Sequence, residues 1–235
     1  MADARKRLIL WDIDSTLVTA GPLGRALYGA AFELATGLPM RVQGTTYGRL
    51  DPDIYLDTLL AHDLEPAAHP FPTFADALVS VYAAHAAELG ERGRALPGAA
   101  AALAALAGEP LAVQTVLTGN LRAVARVKLA AFGLDRHLDL GIGAYALDAG
   151  VRAGLVPVAQ ARAGARHATA FDAASTVIVG DSHLDVAAAR SAGARVVAVA
   201  TGRDGPDALA GADVVLDDLA DTAAVLRAIW DVSHA

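Results

Sequence analysis

The chain lacks cysteine altogether, has only two lysines, and is poor in aromatic residues at 5% of 235 positions. Without thiols there can be no disulfide, iron–sulfur cluster, thiolate zinc site or cysteine nucleophile, so any metal must rest on oxygen or imidazole. Basic residues are outnumbered 26 to 19 by acidic ones, the net charge is −7, and no basic run exceeds Arg5-Lys6-Arg7. That balance argues against the broad phosphate-neutralising face that nucleic acids require, and neither DNA nor RNA is an expected partner. Long apolar spans are also missing. Mean hydropathy is +0.40, yet alanine supplies much of it, and no window of about 18 residues is free of charge and strong breakers, so no membrane span is predicted. The N-terminus carries no apolar stretch or cleavage site of the signal-peptide kind before the first strand-like run, and a cytoplasmic location is the expectation.

What is present is ample material for a core, 54% hydrophobic residues. The length suits one large domain, or a medium one with a smaller insertion. Short apolar runs bounded by turn residues occur at Leu8 to Trp11, Leu111 to Leu117, Leu138 to Ile142, Thr176 to Val179, Val196 to Ala200 and Val214 to Leu216. Each reads as a buried strand. Stretches with helical spacing alternate with them at Ala99 to Ala107, Leu121 to Ala131, Leu155 to Ala165 and Leu184 to Ala192. This alternation predicts an α/β fold, a doubly wound parallel sheet covered by helices.

Between the first two strands lie about 100 residues, far more than one crossover helix needs. Leu23 to Thr36, Asp53 to His62 and Phe74 to Leu89 read as helices in that interval. They predict a small all-helical domain over residues 20–93, inserted into a core of residues 1–19 and 94–235.

In an open α/β sheet, ligands sit beyond the carboxyl ends of the strands. Three strand-like runs end there in polar groups: Asp12-Ile13-Asp14-Ser15-Thr16, Thr118-Gly119-Asn120, and Gly180-Asp181-Ser182-His183-Leu184-Asp185. Asp12, Asp14, Asp181 and Asp185 gathered on one rim would repel one another, so a cation is implied. Hard carboxylate ligands suit Mg²⁺, which also takes water and phosphate oxygens. Thr118 and the turn after it are candidates for holding a phosphoryl group, and Lys128 or Arg152 for offsetting its remaining charge. Gly141 to Ala146 superficially fits a dinucleotide fingerprint but lacks a well-placed acidic partner, and reads as a loop. His183 reads as an exposed loop histidine.

Asp12-x-Asp14-x-Thr16, Thr118-Gly119-Asn120, a later basic residue and Gly180-Asp181-x-x-x-Asp185, taken in order, resemble the four motifs of the haloacid dehalogenase superfamily. Leu96-Pro97-Gly98 and Val197 to Gly202 resemble its phosphoglycolate phosphatase-like branch, in which a helical cap follows the first motif. The resemblance implies a Rossmann-like core and Mg²⁺-dependent hydrolysis of a small-molecule phosphate ester, of the phosphoglycolate or sugar phosphate class. It implies Asp12 as nucleophile, Asp14 as general acid and base, and Thr118 as phosphoryl anchor, with Gly119 and Asn120 beside it. Asp12, Asp14 (through its carbonyl), Asp181 and Asp185 would surround the metal, Asp185 as ligand or orienter. The third motif lacks the usual Lys-Pro pair. Lys128 and Arg152 both remain candidates, with Lys128 preferred. Tyr47 to Asp51 resembles the cap loop that faces the site, which makes Arg49 a candidate substrate contact. The same motifs serve phosphomutases, while a dehalogenase or a phosphate-accepting signalling protein with slow turnover fits them less well. Either a monomer or a homodimer is compatible.

Overall fold

The computed structural model describes residues 5–231; residues 1–4 and 232–235, at the ends of the expected core, lie outside the described residues. The chain enters the sheet at once with β1 (Arg7–Trp11) and then forms the short β2 (Val18–Thr19). Four helices follow: α1 (Pro22–Thr36), α2 (Asp51–Leu60), α3 (Phe71–Ala84) and α4 (Ala86–Arg92). The chain returns through β3 (Arg94–Ala95), α5 (Ala99–Ala107), β4 (Ala112–Val116), α6 (Arg122–Ala130) and α7 (Leu155–His167). It closes with β5 (Thr176–Gly180), α8 (His183–Ala192), β6 (Arg195–Val199), α9 (Pro206–Leu209), β7 (Val214–Leu216) and α10 (Thr222–Trp230).

The main sheet is wholly parallel, in the order β4-β1-β5-β6-β7. Alternate residues of β1 feed two separate cores. Ile9 and Trp11 pack with α5, α6 and α10 on one face, while Leu8 and Leu10 pack with α7, α8 and α9 on the other. Burial on both faces explains why the strand reads as an unbroken apolar run. The expected doubly wound α/β architecture is therefore present.

Helices α1 to α3 share a third cluster, in which Tyr28, Phe32, Tyr55 and Phe74 interlock and Tyr55 stacks on Phe74 at 4.2 Å between ring centroids. Leu121 and Val124 of the α6 region belong to the same cluster, so the helical segment rests directly on the sheet side of the molecule. Its two connections run side by side: β2 and β3 pair antiparallel, Val18 opposite Ala95 and Thr19 opposite Arg94.

Two expectations need correction. Leu138 to Ile142 is not a strand. Asp139 Oδ1 accepts from Gly141 N–H at 2.9 Å and turns the chain, leaving a single bridge between Leu117 and Ala144 beside β4. Phe74 to Leu89 is not one helix either. His85 leaves helical geometry at φ −109°, ψ 20°, and α4 starts afresh after it. No helix among the described residues is long and apolar enough to cross a membrane.

Gly98 opens α5 at φ 77°, and a Cβ there would lie 1.7 Å from the Leu219 carbonyl oxygen. Both the left-handed backbone and the contact with loop backbone oppose a side chain. Gly98→Ala should therefore cost about 2–4 kcal/mol of stability, read as a lower urea midpoint at unchanged slope. An unchanged midpoint would mean that the 219–220 loop yields freely.

Candidate active site

Register brings the polar strand ends together. Trp11 stands opposite both Val116 and Val179, and Asp12 N–H donates to the Val179 carbonyl at 2.8 Å while Leu117 N–H donates to Trp11. Neighbouring strands lie about 4.8 Å apart, so the residues just beyond their ends face one crevice. A cavity of about 360 Å³ opens there, lined by Asp12, Asp14, Thr118, Gly119, Asn120, Lys128, Arg152 and Asp181, with Arg49 on the helical side.

Each of the two candidate cations holds a different aspartate. Lys128, on α6, places Nζ 2.8 and 2.7 Å from the oxygens of Asp14 and 2.7 Å from Asn120 Oδ1. Asn120 in turn donates from Nδ2 to Asp14 Oδ2 at 2.7 Å and to Thr118 Oγ1 at 2.8 Å. Arg152 stands in a single 3₁₀ turn before α7, only 8% exposed, with Nη2 2.8 Å from Asp12 Oδ1 and 2.5 Å from Asp185 Oδ1. The preference for Lys128 rests on its ammonium, to which a planar guanidinium is not equivalent, while chain position points to Arg152. The geometry instead divides the work, with Arg152 on the Asp12 side and Lys128 on the Asp14 side.

Asp185 does not line the cavity. It is fully buried, takes two bonds from Arg152, and accepts from Ser182 N–H at 3.2 Å and Ser182 Oγ at 2.5 Å in a capping box that starts α8. Ser15 has φ 63°, a left-handed conformation that glycine adopts without strain. Arg49 pairs with Asp57 of α2 at 3.2 Å. His183, its side chain 55% exposed, contacts Asp204 at 2.8 Å.

The charges explain what the site demands. Burial pushes the Asp12 carboxyl up to about 7; Arg152 pulls against this, while Asp185 and Asp14 add to it. Asp181 is pushed up to about 8 by burial, then by Asp12 and Asp185, against the hydrogen bond from Thr16 Oγ1 at 3.0 Å. Burial also works against ionised Asp14, but Lys128 and Asn120 outweigh it and hold this carboxyl below its ordinary value. Lys128 itself resists the discharging effect of burial because Asp14 and Tyr82 keep its proton in place.

Oxygens of Asp12, Asp181 and Asp185 lie within 4.8 Å of one another. Asp181 Oδ2 is buried without a hydrogen-bond partner among the described residues. An orphaned carboxylate oxygen costs free energy unless something cationic meets it. The donor set is all oxygen and suits a hard divalent ion. The residues thus fit a metal of the Mg²⁺ type.

Tyr47 and Asp51 carry no role in the sequence reading, although they flank Arg49, Tyr47 in the loop before α2 and Asp51 as the first residue of α2. Burial of Asp51 pushes its carboxyl up to about 6 against the pull of Lys128 and of the Leu121 N–H. An aspartate in a helix's first turn reads as an ordinary dipole-favoured charge, and only the folded chain reveals that it is buried against Leu121.

The model of the haloacid dehalogenase-like hydrolase family matches residues 9–190. The chain is 32% identical over 215 residues to a plasmid-encoded phosphoglycolate phosphatase of Cupriavidus necator, covering 90% of this chain and 89% of the relative. Among solved structures, CbbY from Rhodobacter sphaeroides in complex with phosphate superposes with a TM-score of 0.70 at 20% identity, over 92% of this chain and 96% of that one. A hydrolase from Pseudomonas syringae superposes at 0.67 and 21% identity, over 95% and 99%.

Proposed function

Since the chain belongs to the haloacid dehalogenase-like hydrolase family, we propose that it is a Mg²⁺-dependent phosphatase of small phosphate esters, working through an aspartyl-phosphate on Asp12. The observation that carries this reading is the meeting of Asp12, Thr118 and Asp181 at the ends of three adjacent parallel strands, in one cavity, with Asp181 Oδ2 unpartnered. The 32% identical phosphoglycolate phosphatase supports it and makes phosphoglycolate or a sugar phosphate the substrate class to try first.

In this scheme a carboxylate oxygen of Asp12 forms a bond to phosphorus as the bond from phosphorus to the ester oxygen breaks. Asp14 gives the departing oxygen its proton, then takes one from the water that attacks the phosphoaspartate, returning inorganic phosphate and free Asp12. Lys128 and Asn120 keep Asp14 ionised in the resting site. A dianionic phosphoryl group arriving beside it raises its proton affinity, and Asp14 takes up one proton from solvent water before the first transfer; the proton it removes from the attacking water then returns to solvent as phosphate leaves. Thr118 anchors a phosphoryl oxygen and Arg152 orients Asp12. Asp12, Asp181 and the Asp14 carbonyl would hold the ion, with Asp185 orienting; when bound, it neutralises charge between nucleophile and phosphoryl group. The helical segment 20–93 acts as a cap over a core of 1–19 and 94–235, with Arg49 facing the substrate's far end.

The purified chain should hydrolyse p-nitrophenyl phosphate with Mg²⁺, fall to background with EDTA, and recover when Mg²⁺ is restored. Turnover indifferent to chelator, or none across a panel of phosphate esters, would reject the reading. Release of inorganic phosphate from a hexose phosphate, rather than a shifted phosphoryl position, separates a phosphatase from a mutase.

A further inference from the structure

Residues 47–50 form the loop that leads into α2, and the side chains of Tyr47 at its start and of Asp51 at the first position of α2 reach different loops of the core. Tyr47 Oη donates to the carbonyl of Asp181 at 2.5 Å and accepts from the N–H groups of Arg203 and Asp204, both at 3.2 Å. The buried carboxylate of Asp51 accepts from Leu121 N–H at 2.7 Å, and its own N–H donates to the Gly119 carbonyl at 2.8 Å. Between these anchors the Gly48 carbonyl lies 3.5 Å from Nη1 of Arg152. Packing is just as close: a Cβ on Gly119 would stand 2.0 Å from the Arg49 carbonyl oxygen.

One short segment of the cap is thus bonded to the loop that carries Thr118 to Asn120 on one side and to the loop that carries Asp181 on the other. A backbone donor or acceptor at such a boundary is satisfied either by this segment or by water, and by the segment only while the cap is down. We propose that Tyr47 and Asp51 are positioning residues, two anchors of one closed state that sets the Thr118 loop and the Asp181 loop in register with each other. Neither side chain has to touch the reacting atoms. Asp51 also sits against the N-terminal end of α6, where a carboxylate is favoured by the helix dipole.

Amide hydrogen exchange on the full chain tests this without any assay of turnover. If the anchors release together, Tyr47→Phe should quicken exchange about fivefold at Arg203 and Asp204 and also at Leu121, on the far side of the site. Asp51→Ala should likewise reach across to Arg203 and Asp204, and Asp51→Asn, which keeps an acceptor oxygen for Leu121, should restore most of the protection. A Tyr47→Phe protein in which only Arg203 and Asp204 change, with Leu121 as in the parent, overturns the proposal. So does an Asp51→Ala protein that folds and changes Leu121 alone. The kinetic arm rests on the phosphatase reading: both variants should lose kcat, about fivefold to tenfold, more than they gain in KM. A loss confined to KM would make these side chains substrate contacts and also overturn the assignment. Should no phosphate ester be hydrolysed at all, the exchange result still decides, so failure of the two readings can be told apart.

Discussion

Asp12→Asn should lower the turnover of a phosphate ester by at least about a thousandfold, because an amide offers no nucleophilic oxygen of comparable strength. The same substitution should leave the folded state intact. Arg152 keeps its 2.5 Å contact with Asp185, and the burial and like-charge repulsion that push the Asp12 carboxyl up to about 7 no longer act on a charge there. The sign of the pH effect follows. With chelator present, both folded and unfolded chains hold the Asp12 proton below about pH 4. As pH rises towards about 7, the unfolded chain sheds that proton first and folding stability falls. Asparagine removes this loss, so the parent should weaken over that interval more than the variant does. Undiminished turnover would reject Asp12 as nucleophile; equal pH slopes would reject the account of its charge.

Arg152→Met should be the most destabilising of the substitutions at the site. It strips the counter-charge from Asp185, which is fully buried, and from Asp12 together. Breaking a buried ion pair from one side costs about 3–5 kcal/mol. Because the guanidinium also fixes the Asp12 carboxylate, turnover should drop by about a hundredfold even where the protein stays folded. Arg152→Lys should recover charge but not the two-pronged grip, and so restore only part of each. Chemical denaturation and steady-state rates on the same preparations check both effects. A methionine variant as stable as the parent would show that the two pairs contribute nothing.

Much of this arrangement is legible in the residues alone. β1, β4, β5 and β6 read as apolar runs because strands buried on both faces leave that trace, whereas β7, at the sheet edge with Val215 exposed, reads as one by its valines and leucine alone. The polar clusters after three of them followed from the position of ligand sites in open sheets. What stayed hidden is of another kind. Leu138 to Ile142 is as apolar as a strand, and only the turn made by Asp139 withdraws it from the sheet. β2 and β3 are two residues each, too short for any period to register. Which cation meets which aspartate depends on where α6 and the turn before α7 dock, and spacing along the chain carries no such information. Tyr47 and Asp51 were hidden for the same reason, since their partners lie 134 and 70 positions away.

The pairing of Val18 with Ala95 and of Thr19 with Arg94 has a consequence for how such molecules diversify. Departure and return of the chain are separated by a single interstrand spacing of about 5 Å. Any foreign module whose own ends come that close can be transplanted between them without lengthening a closure or disturbing the sheet's register. On the phosphatase reading, substrate preference would then ride on an exchangeable cassette, which must bring its own anchors for the Thr118 and Asp181 loops.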